Sequence, residues 1–453
     1  MEISARDFRS FHEIGPIEIK PITLLVGENS AGKTSFLSLV RFAHEILGPT
    51  GGASFNKPPF FLGAYDQSAH YRGGKFGRAK TFSISVTETI RTASVRGRDK
   101  SLPNQVNARL TISFKKEASQ PVISRVEFSA KPYGFDIKIG EKTSFEVTGP
   151  DEKQTTFINV RRPYEFLGRN AFDITSIYYL VRELQFSEIS SQPSLFGEAK
   201  VEGGGSLRES VAARIVVDLF ERFRRTVTRP AFAAAPVRTE ARRVYTPTDE
   251  NPAPDGNHVP MLLARVKALD PEQWKSLKGR LDEFGKLSGL FESVDIKQLG
   301  RSESDPFQIS VKIAGPASNI VDVGYGVSQI LPLIVELVRN PKSRRIFLLQ
   351  QPEVHLHPRA QAALGTFFSD FVSSTNMSLV VETHSDYIVD RIRMETRDKS
   401  SSRSKDVQVL YFDRKQLNVK VHQISIDSDG NLKNVPKGYR DFFLSEERRL
   451  LGI

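Results

Sequence analysis

The chain has 453 residues, 39% of them hydrophobic, with 64 basic and 53 acidic side chains and no cysteine. That length supports two or three domains around a sizeable core, and the lack of cysteine excludes disulfides and thiolate metal sites and fits a reducing cytoplasm. The opening MEISARDFRSFHEIG has neither the basic start nor the apolar centre of a signal peptide, and no run approaches about 18 apolar residues, so a soluble cytoplasmic protein is expected. The formal charge of +11 favours a polyanionic partner, but the basic residues are scattered, which leaves a plain solubilising surface equally open.

In chain order, Ile17 and Ile19, then Ile22, Leu24, Leu25 and Val26, read as a short antiparallel entry and a buried strand ending in a glycine-rich turn. From Thr34 the run FLSLVRFAHEIL sets Phe36, Leu37, Val40, Phe42 and Ile46 at helical spacing. Strand, glycine loop and helix is the order a P-loop requires. Residues 75–148 change character: TFSISVTETI, ARLTISF, ISRVEFSA and FDIKIG alternate with a period of two, which predicts an antiparallel meander with one wet face. Helices are expected around 171–185 and again after Ser206, whose capping-box partner is Glu209. In this second helix Leu207, Val211, Ile215, Leu219 and Phe223 recur every four residues. It carries Arg208, Arg214, Arg222, Arg224 and Arg225, for which a solvated face is a better reading than a binding face. Stretches 190–206 and 246–260 read as loops and 397–405 as a linker. Between 261 and 292 a further helix is expected, capped by Asp270 with Pro271 in its first turn.

Four blocks carry chemistry. Gly27-Glu28-Asn29-Ser30-Ala31-Gly32-Lys33-Thr34 is a phosphate-binding loop: its amides and the helix N-terminus face phosphate oxygens, Lys33 neutralises the β- and γ-phosphates, and the Thr34 hydroxyl binds Mg²⁺. Asp322-Val323-Gly324-Tyr325-Gly326-Val327-Ser328-Gln329 reads as a glycine turn that delivers a serine cap to the apolar helix ILPLIVELV, a second anion-binding helix start. The segment from Arg345 through Gln350-Gln351-Pro352-Glu353 to His355 and His357 is an apolar strand ending in polar groups, expected at the carboxyl edge of a parallel sheet beside the P-loop. Ser378 to Ser385 is a similar strand, ending Glu382-Thr383-His384-Ser385. Each histidine taken singly reads as a capping or core residue, and the alternating His355 and His357 lack a third metal ligand.

Together these blocks resemble the ABC-type ATPase heads of SMC-like DNA-repair proteins, and within them the OLD (overcoming lysogenization defect) ATPases. That family shows an NFxSF segment, a GENxxGKS/T loop, a DVGFGVSQ element, an E-[EQ]-PExHLHP strand end and a THS strand end. The counterparts here are Asp7-Phe8-Arg9-Ser10-Phe11, 27–34, 322–329, 350–358 and 383–385, in the same order. Phe61-Leu62-Gly63-Ala64-Tyr65-Asp66 and Pro236-Val237-Arg238 also look like family landmarks.

The resemblance implies an α/β fold: an ABC-type P-loop ATPase head, a mixed β-sheet flanked by helices, built from 1–50 and 230–453. Residues 51–229 are then an inserted β-rich and helical region that serves as an arm or a partner-contact surface. It implies a site for ATP and Mg²⁺ in which Ser35 and Arg9 join the 27–34 loop. Gly326 and Ser328 of another subunit close on the γ-phosphate, giving a homodimer or a higher homo-oligomer. Gln67 is placed at the Q-loop glutamine on the metal side with Thr34 and Gln350, and His384 resembles the switch histidine.

One departure matters. ABC proteins carry Asp-Glu at the strand end, and OLD-like relatives Glu-Glu or Glu-Gln; this chain has Gln350-Gln351. A glutamine orients water but neither takes its proton nor offsets Mg²⁺ charge. Hydrolysis is then slow with ATP acting as a switch, or Glu353 supplies the acid, or one glutamine is an engineered substitution; the sequence leaves the three open. OLD proteins proper continue into a Toprim nuclease domain, for which the stretch after His384 is too short. Asp427-Ser-Asp429 reads better as a β-turn than as a metal motif. The ending resembles stand-alone OLD-like ATPases, which in bacteria work with a separate nuclease or toxin, as in PARIS- or Septu-type antiphage systems. The function expected is therefore a nucleotide-gated sensor or scaffold controlling an effector. The alternative is a DNA-repair or recombination ATPase acting directly on DNA.

Overall fold

The structure is a computed structural model. The residues described are 1–47, 55–93, 99, 102–140, 143–150, 153–158, 178, 201–202, 211–227, 231–247, 251–302, 304–339, 346–398 and 403–452. They divide into two compact units, one of Met1–Ile19, Ser35–Pro230 and Arg414–Lys420, the other of Lys20–Thr34, Ala231–Asp413 and Val421–Ile453. The division falls between Thr34 and Ser35, inside the helix Lys33–Ile46.

The first unit is built on a nine-stranded sheet. Its strands run, edge to edge, Val201–Glu202, Lys153–Ile158, Thr143–Thr148, Tyr133–Lys138, Gln120–Ala130, Gln105–Glu117, Thr81–Arg91, Glu2–Phe8 and Phe11–Glu18, each antiparallel to the next. The alternation read in 75–148 sets the sides of this sheet. Val106, Ala108, Leu110, Ile112 and Phe114 are buried, while Asn107 and Arg109 between them are exposed. A helix, Val211–Val227, lays Phe220 and Phe223 on Phe128, with ring centroids 5.0 and 5.6 Å apart. Arg224 and Arg225 on this helix both pair with Glu221, so part of its basic face is neutralised in place. Of the helix expected at 171–185 only Tyr178 is described, and it is helical; the cap at Ser206 and Glu209 lies outside the described residues.

The second unit carries a seven-stranded sheet ordered Ala231–Ala234, Ile346–Gln350, Ser378–Glu382, Ile22–Gly27, Val407–Lys415, Asn418–Ile426 and Leu432–Lys433. The first five are parallel. Parallel strands are buried on both faces and therefore read as continuous apolar runs; Leu24, Leu25, Phe347, Leu348, Leu349, Leu379, Val380 and Val381 are all fully buried. Helices Pro271–Ser288 and Pro358–Ser374 meet through Phe284 and Phe367, 5.4 Å apart, and Phe371 of the latter packs edge-on against Phe347 of the sheet. The helix Tyr325–Val338 is buried at every position from Val327 to Val338, as expected of a helix that is apolar all round.

Local signals in this unit mostly hold. The helical stretch expected across 261–292 consists of Val259–Leu269 and Pro271–Ser288, and Asp270 caps the second as expected, its Oδ1 accepting the Gln273 amide at 2.9 Å. Asp427 accepts the amides of Asp429 and Asn431, which makes 427–431 a turn. One expectation is corrected. Gly324, not a serine, occupies the N-cap of Tyr325–Val338, and Ser328 lies one turn in with its hydroxyl donating to Tyr325 O at 2.8 Å. Glycine is itself tolerated at an N-cap, so the start needs no serine there, and the Ser328 hydroxyl finds a partner within the helix.

Candidate functional site

Three neighbouring parallel strands end together. Gln350 stands opposite Glu382, and Glu382 opposite Leu25 of the P-loop strand. Ligands bind in such sheets at the carboxyl ends of the strands, and the sequence gathers its polar residues at those ends.

The P-loop opens at Gly27, at φ +139, where an added Cβ would stand 2.6 Å from Phe412 O. Only glycine fits that turn. Ser30 and Gly32 also take positive φ, and Glu28, Asn29 and Ser30 are exposed. The helix begins at Lys33, and a helix start directs its first amides at an anion. Lys33 is buried, and its ammonium bridges the carbonyls of Gly27 and Glu28 at 2.9 and 2.8 Å. Burial lowers its pKa, opposed by the charges of Glu382 and Glu353. The Thr34 hydroxyl lies 2.9 and 3.2 Å from the two carboxylate oxygens of Glu382 and 3.5 Å from Gln350 Nε2.

The strand ends supply the rest. Glu382 is buried, which raises its pKa against the pull of Thr34, Lys33 and Gln350. Gln351 takes a positive φ and donates its amide to Glu382 O at 2.8 Å, fixing the turn after Gln350. Glu353, also buried and also raised by burial, accepts the His384 amide at 2.7 Å through Oε1. His384 is exposed, and what burial it has, with the nearby Lys33 charge, lowers its pKa. His355 packs edge-on against the Tyr325 ring at 4.8 Å, and His357 caps the helix Pro358–Ser374 by accepting the Arg359 amide. Gly326 lies so close to this segment that a Cβ would meet His355 O at 2.7 Å.

The structure thus brings together Lys33, Thr34, Gln350, Gln351, Glu353 and His384. Arg9, Ser35 and Gln67 belong to the other unit. Arg9 donates its amide to Ser68 O, and Gln67 Oε1 accepts the Ala64 amide at 3.1 Å.

Two groups carried no role in the sequence reading. Glu382 is the carboxylate on the Thr34 hydroxyl; an acid closing an apolar strand directly before Thr-His-Ser is the signal that could have found it. Arg238, following the edge strand Ala231–Ala234, is buried with Nε and Nη2 unpartnered among the described residues, and burial takes its pKa down to about 10. Its backbone amide donates to Gln329 of the helix Tyr325–Val338. The charge of Glu353, whose own Oε2 has no hydrogen-bond partner among the described residues, offsets part of Arg238's burial.

Glycine loop, buried lysine, helix-start threonine and acid-bearing strand ends on a parallel sheet define an ABC-type P-loop ATPase head. The donor set suits a magnesium nucleotide: the Thr34 hydroxyl and the Glu382 carboxylate are hard ligands, and the loop amides suit phosphate.

Residues 303–390 match the family described as "AAA domain, putative AbiEii toxin, Type IV TA system". Residues 403–443 match a family described as a protein of unknown function, DUF3696. No curated protein matches the chain. Among solved structures, it is similar to an SMC head bound to the C-terminal winged-helix domain of ScpA, at 11% identity and a TM-score of 0.42 over 94% of this chain and 97% of that one. It is also similar to an SMC head with an extended coiled coil bound to the C-terminal domain of ScpA derived from Pyrococcus furiosus (11%, TM-score 0.39, covering 99% and 98%). A third is the SMC head from Thermotoga maritima (10%, 0.35, covering 94% and 98%). Among the described residues, no helix is long and apolar enough to cross a membrane.

Proposed function

We propose that this chain binds and slowly hydrolyses ATP, that ATP joins two copies, and that the joined state controls a separate nuclease or toxin in antiphage defence. The observation that carries the nucleotide reading is the Lys33–Thr34 pair set against the strand-end carboxylate of Glu382. Lys33 exchanges loop carbonyls for phosphate oxygens, the loop amides orient the phosphates, and Thr34 and Glu382 would hold Mg²⁺ beside the Gln350 amide. When bound, the ion supplies positive charge to the β- and γ-phosphate oxygens. Gln350 and Gln351 take no proton, so turnover is slow and the bound nucleotide acts mainly as a switch.

Association of two copies is supported by the start of the helix Tyr325–Val338. Gly324 and Tyr325 are exposed and Gly326 is half-buried, while Val327 to Val338 are buried, so a rigid element offers its first amides to an anion outside its own unit. Control of a toxic effector is supported by the resemblance to stand-alone OLD-like ATPases and suits the matched family, whose description names a toxin of a toxin–antitoxin system.

The test is a mass measurement by light scattering without nucleotide, with ATP and with a non-hydrolysable analogue, followed by a pull-down under the same conditions. The expected result is a doubled or larger mass and a co-purifying effector only with nucleotide. An unchanged mass in all three removes the sandwich; no partner under any condition removes the effector.

A further inference from the structure

The strand-end position that carries an acid in ATPases of this class is Gln350 here, yet the site is not without a carboxylate. Glu382 ends the next strand, directly opposite Gln350 in the sheet register. Its two oxygens lie 2.9 and 3.2 Å from the Thr34 hydroxyl, and the Gln350 amide reaches the same hydroxyl at 3.5 Å. Glu353, the other acid at these strand ends, has one oxygen committed to the His384 amide and makes no contact with Thr34 among the described residues.

We propose that Glu382 has taken over the metal-holding role that Gln350 cannot perform, so that the carboxylate facing the Mg²⁺ of the bound nucleotide comes from the neighbouring strand. The proposal rests on the ATP-binding reading above. Mg²⁺ in nucleotide sites is held by one or two carboxylates together with phosphate oxygens and water. Among the described residues Glu382 is the carboxylate that touches the hydroxyl a P-loop gives to that ion. Gln350 then keeps a lesser part: its amide holds the Thr34 and Glu382 side chains in register and adds no charge.

The arrangement has a consequence beyond ligation. A buried carboxylate close to the P-loop lysine repels phosphate unless a cation lies between them. Nucleotide binding should therefore depend on Mg²⁺ more steeply here than in a P-loop whose lysine faces no such acid.

The experiment measures the affinity of a fluorescent ATP analogue in excess Mg²⁺ and in EDTA, and reads the ratio of the two dissociation constants. Mn²⁺ bound per nucleotide, followed by electron paramagnetic resonance, is a second readout independent of turnover. In Glu382→Gln the gain from Mg²⁺ should shrink at least about tenfold, the equivalent of one charge-assisted contact. Mn²⁺ retention should fall with it. Adding Gln350→Glu to that variant should restore both, by returning a carboxylate to the adjacent strand end. An unchanged ratio in Glu382→Gln overturns the proposal, as does a loss that Gln350→Glu fails to restore. Should Glu382→Gln not fold, Glu382→Asp decides: the charge is kept but drawn back by one methylene, and an undiminished Mg²⁺ gain refutes the role. If the unsubstituted protein binds no nucleotide in either buffer, the ATP reading itself falls.

Discussion

Arg238 and Glu353 offer the sharpest physical test of how the site is held. Both are buried, at 4% and 8% exposure, and each keeps a polar atom without a partner among the described residues. No ion pair or hydrogen bond joins the two side chains among the described residues, but the charge of Glu353 offsets part of the burial of Arg238. Removing one member of a contacting buried ion pair costs about 3–5 kcal/mol, and a coupling that acts without contact stays below that range. Glu353 also keeps its hydrogen bond from the His384 amide. Arg238→Met and Glu353→Gln should each destabilise the second unit by about 1–3 kcal/mol, and the double variant should cost less than the sum by about 0.5 kcal/mol or more. The chain's single tryptophan, Trp274, lies in the helix Pro271–Ser288 of that unit, so its fluorescence in a urea titration follows the relevant transition. Strictly additive costs, or single variants with the unsubstituted midpoint, would refute the coupling. ATP turnover and affinity on the same samples settle a second point. If Glu353 is the base, Glu353→Gln abolishes turnover and spares binding; unchanged turnover leaves it as the group that positions His384.

Gly326→Ala should destabilise by about 1–3 kcal/mol and abolish nucleotide-dependent association, since its Cβ would stand 2.7 Å from His355 O; thermal unfolding and light scattering check the two effects. Asp270→Ala removes the acceptor of the Gln273 amide and should cost about 1 kcal/mol in the same tryptophan-followed transition, with ATP affinity unchanged. Turnover should be indifferent to added DNA under the sensor reading; DNA-stimulated turnover, with binding that weakens steeply as salt rises, would favour direct action on DNA instead.

Much of the nucleotide side was legible in the chain because its signals are local. The run from Ile22 to Ile46 needs only a buried strand, a turn that tolerates glycine alone and an apolar helical stripe, and all three lie within 25 consecutive residues. The meander of 81–138 was equally plain, since alternation directly states which side chains face the core. What escaped depends on distance in sequence. Glu382 gains its partner from Thr34, 348 residues away, and only the register of parallel strands sets it opposite Gln350. Arg238 looked like a landmark, but its burial beside Glu353 and Gln329 follows from the order of strands in the sheet. Ser328 was misplaced by one turn because glycine and serine both suit a helix start, and the choice between them is made by backbone geometry.

The central claim is that ATP binds at Lys33 and Thr34. Calorimetric titration of ATP with Mg²⁺ into the unsubstituted protein and into Lys33→Ala tests it most directly. Lys33 offers two charge-assisted hydrogen bonds, now made to Gly27 O and Glu28 O, and each such bond is worth about 1.5–3 kcal/mol. The account expects saturable binding with one ATP per chain and a dissociation constant at least about 100-fold weaker in Lys33→Ala. Equal affinity in the two proteins, or no heat of binding in the unsubstituted chain, would contradict it.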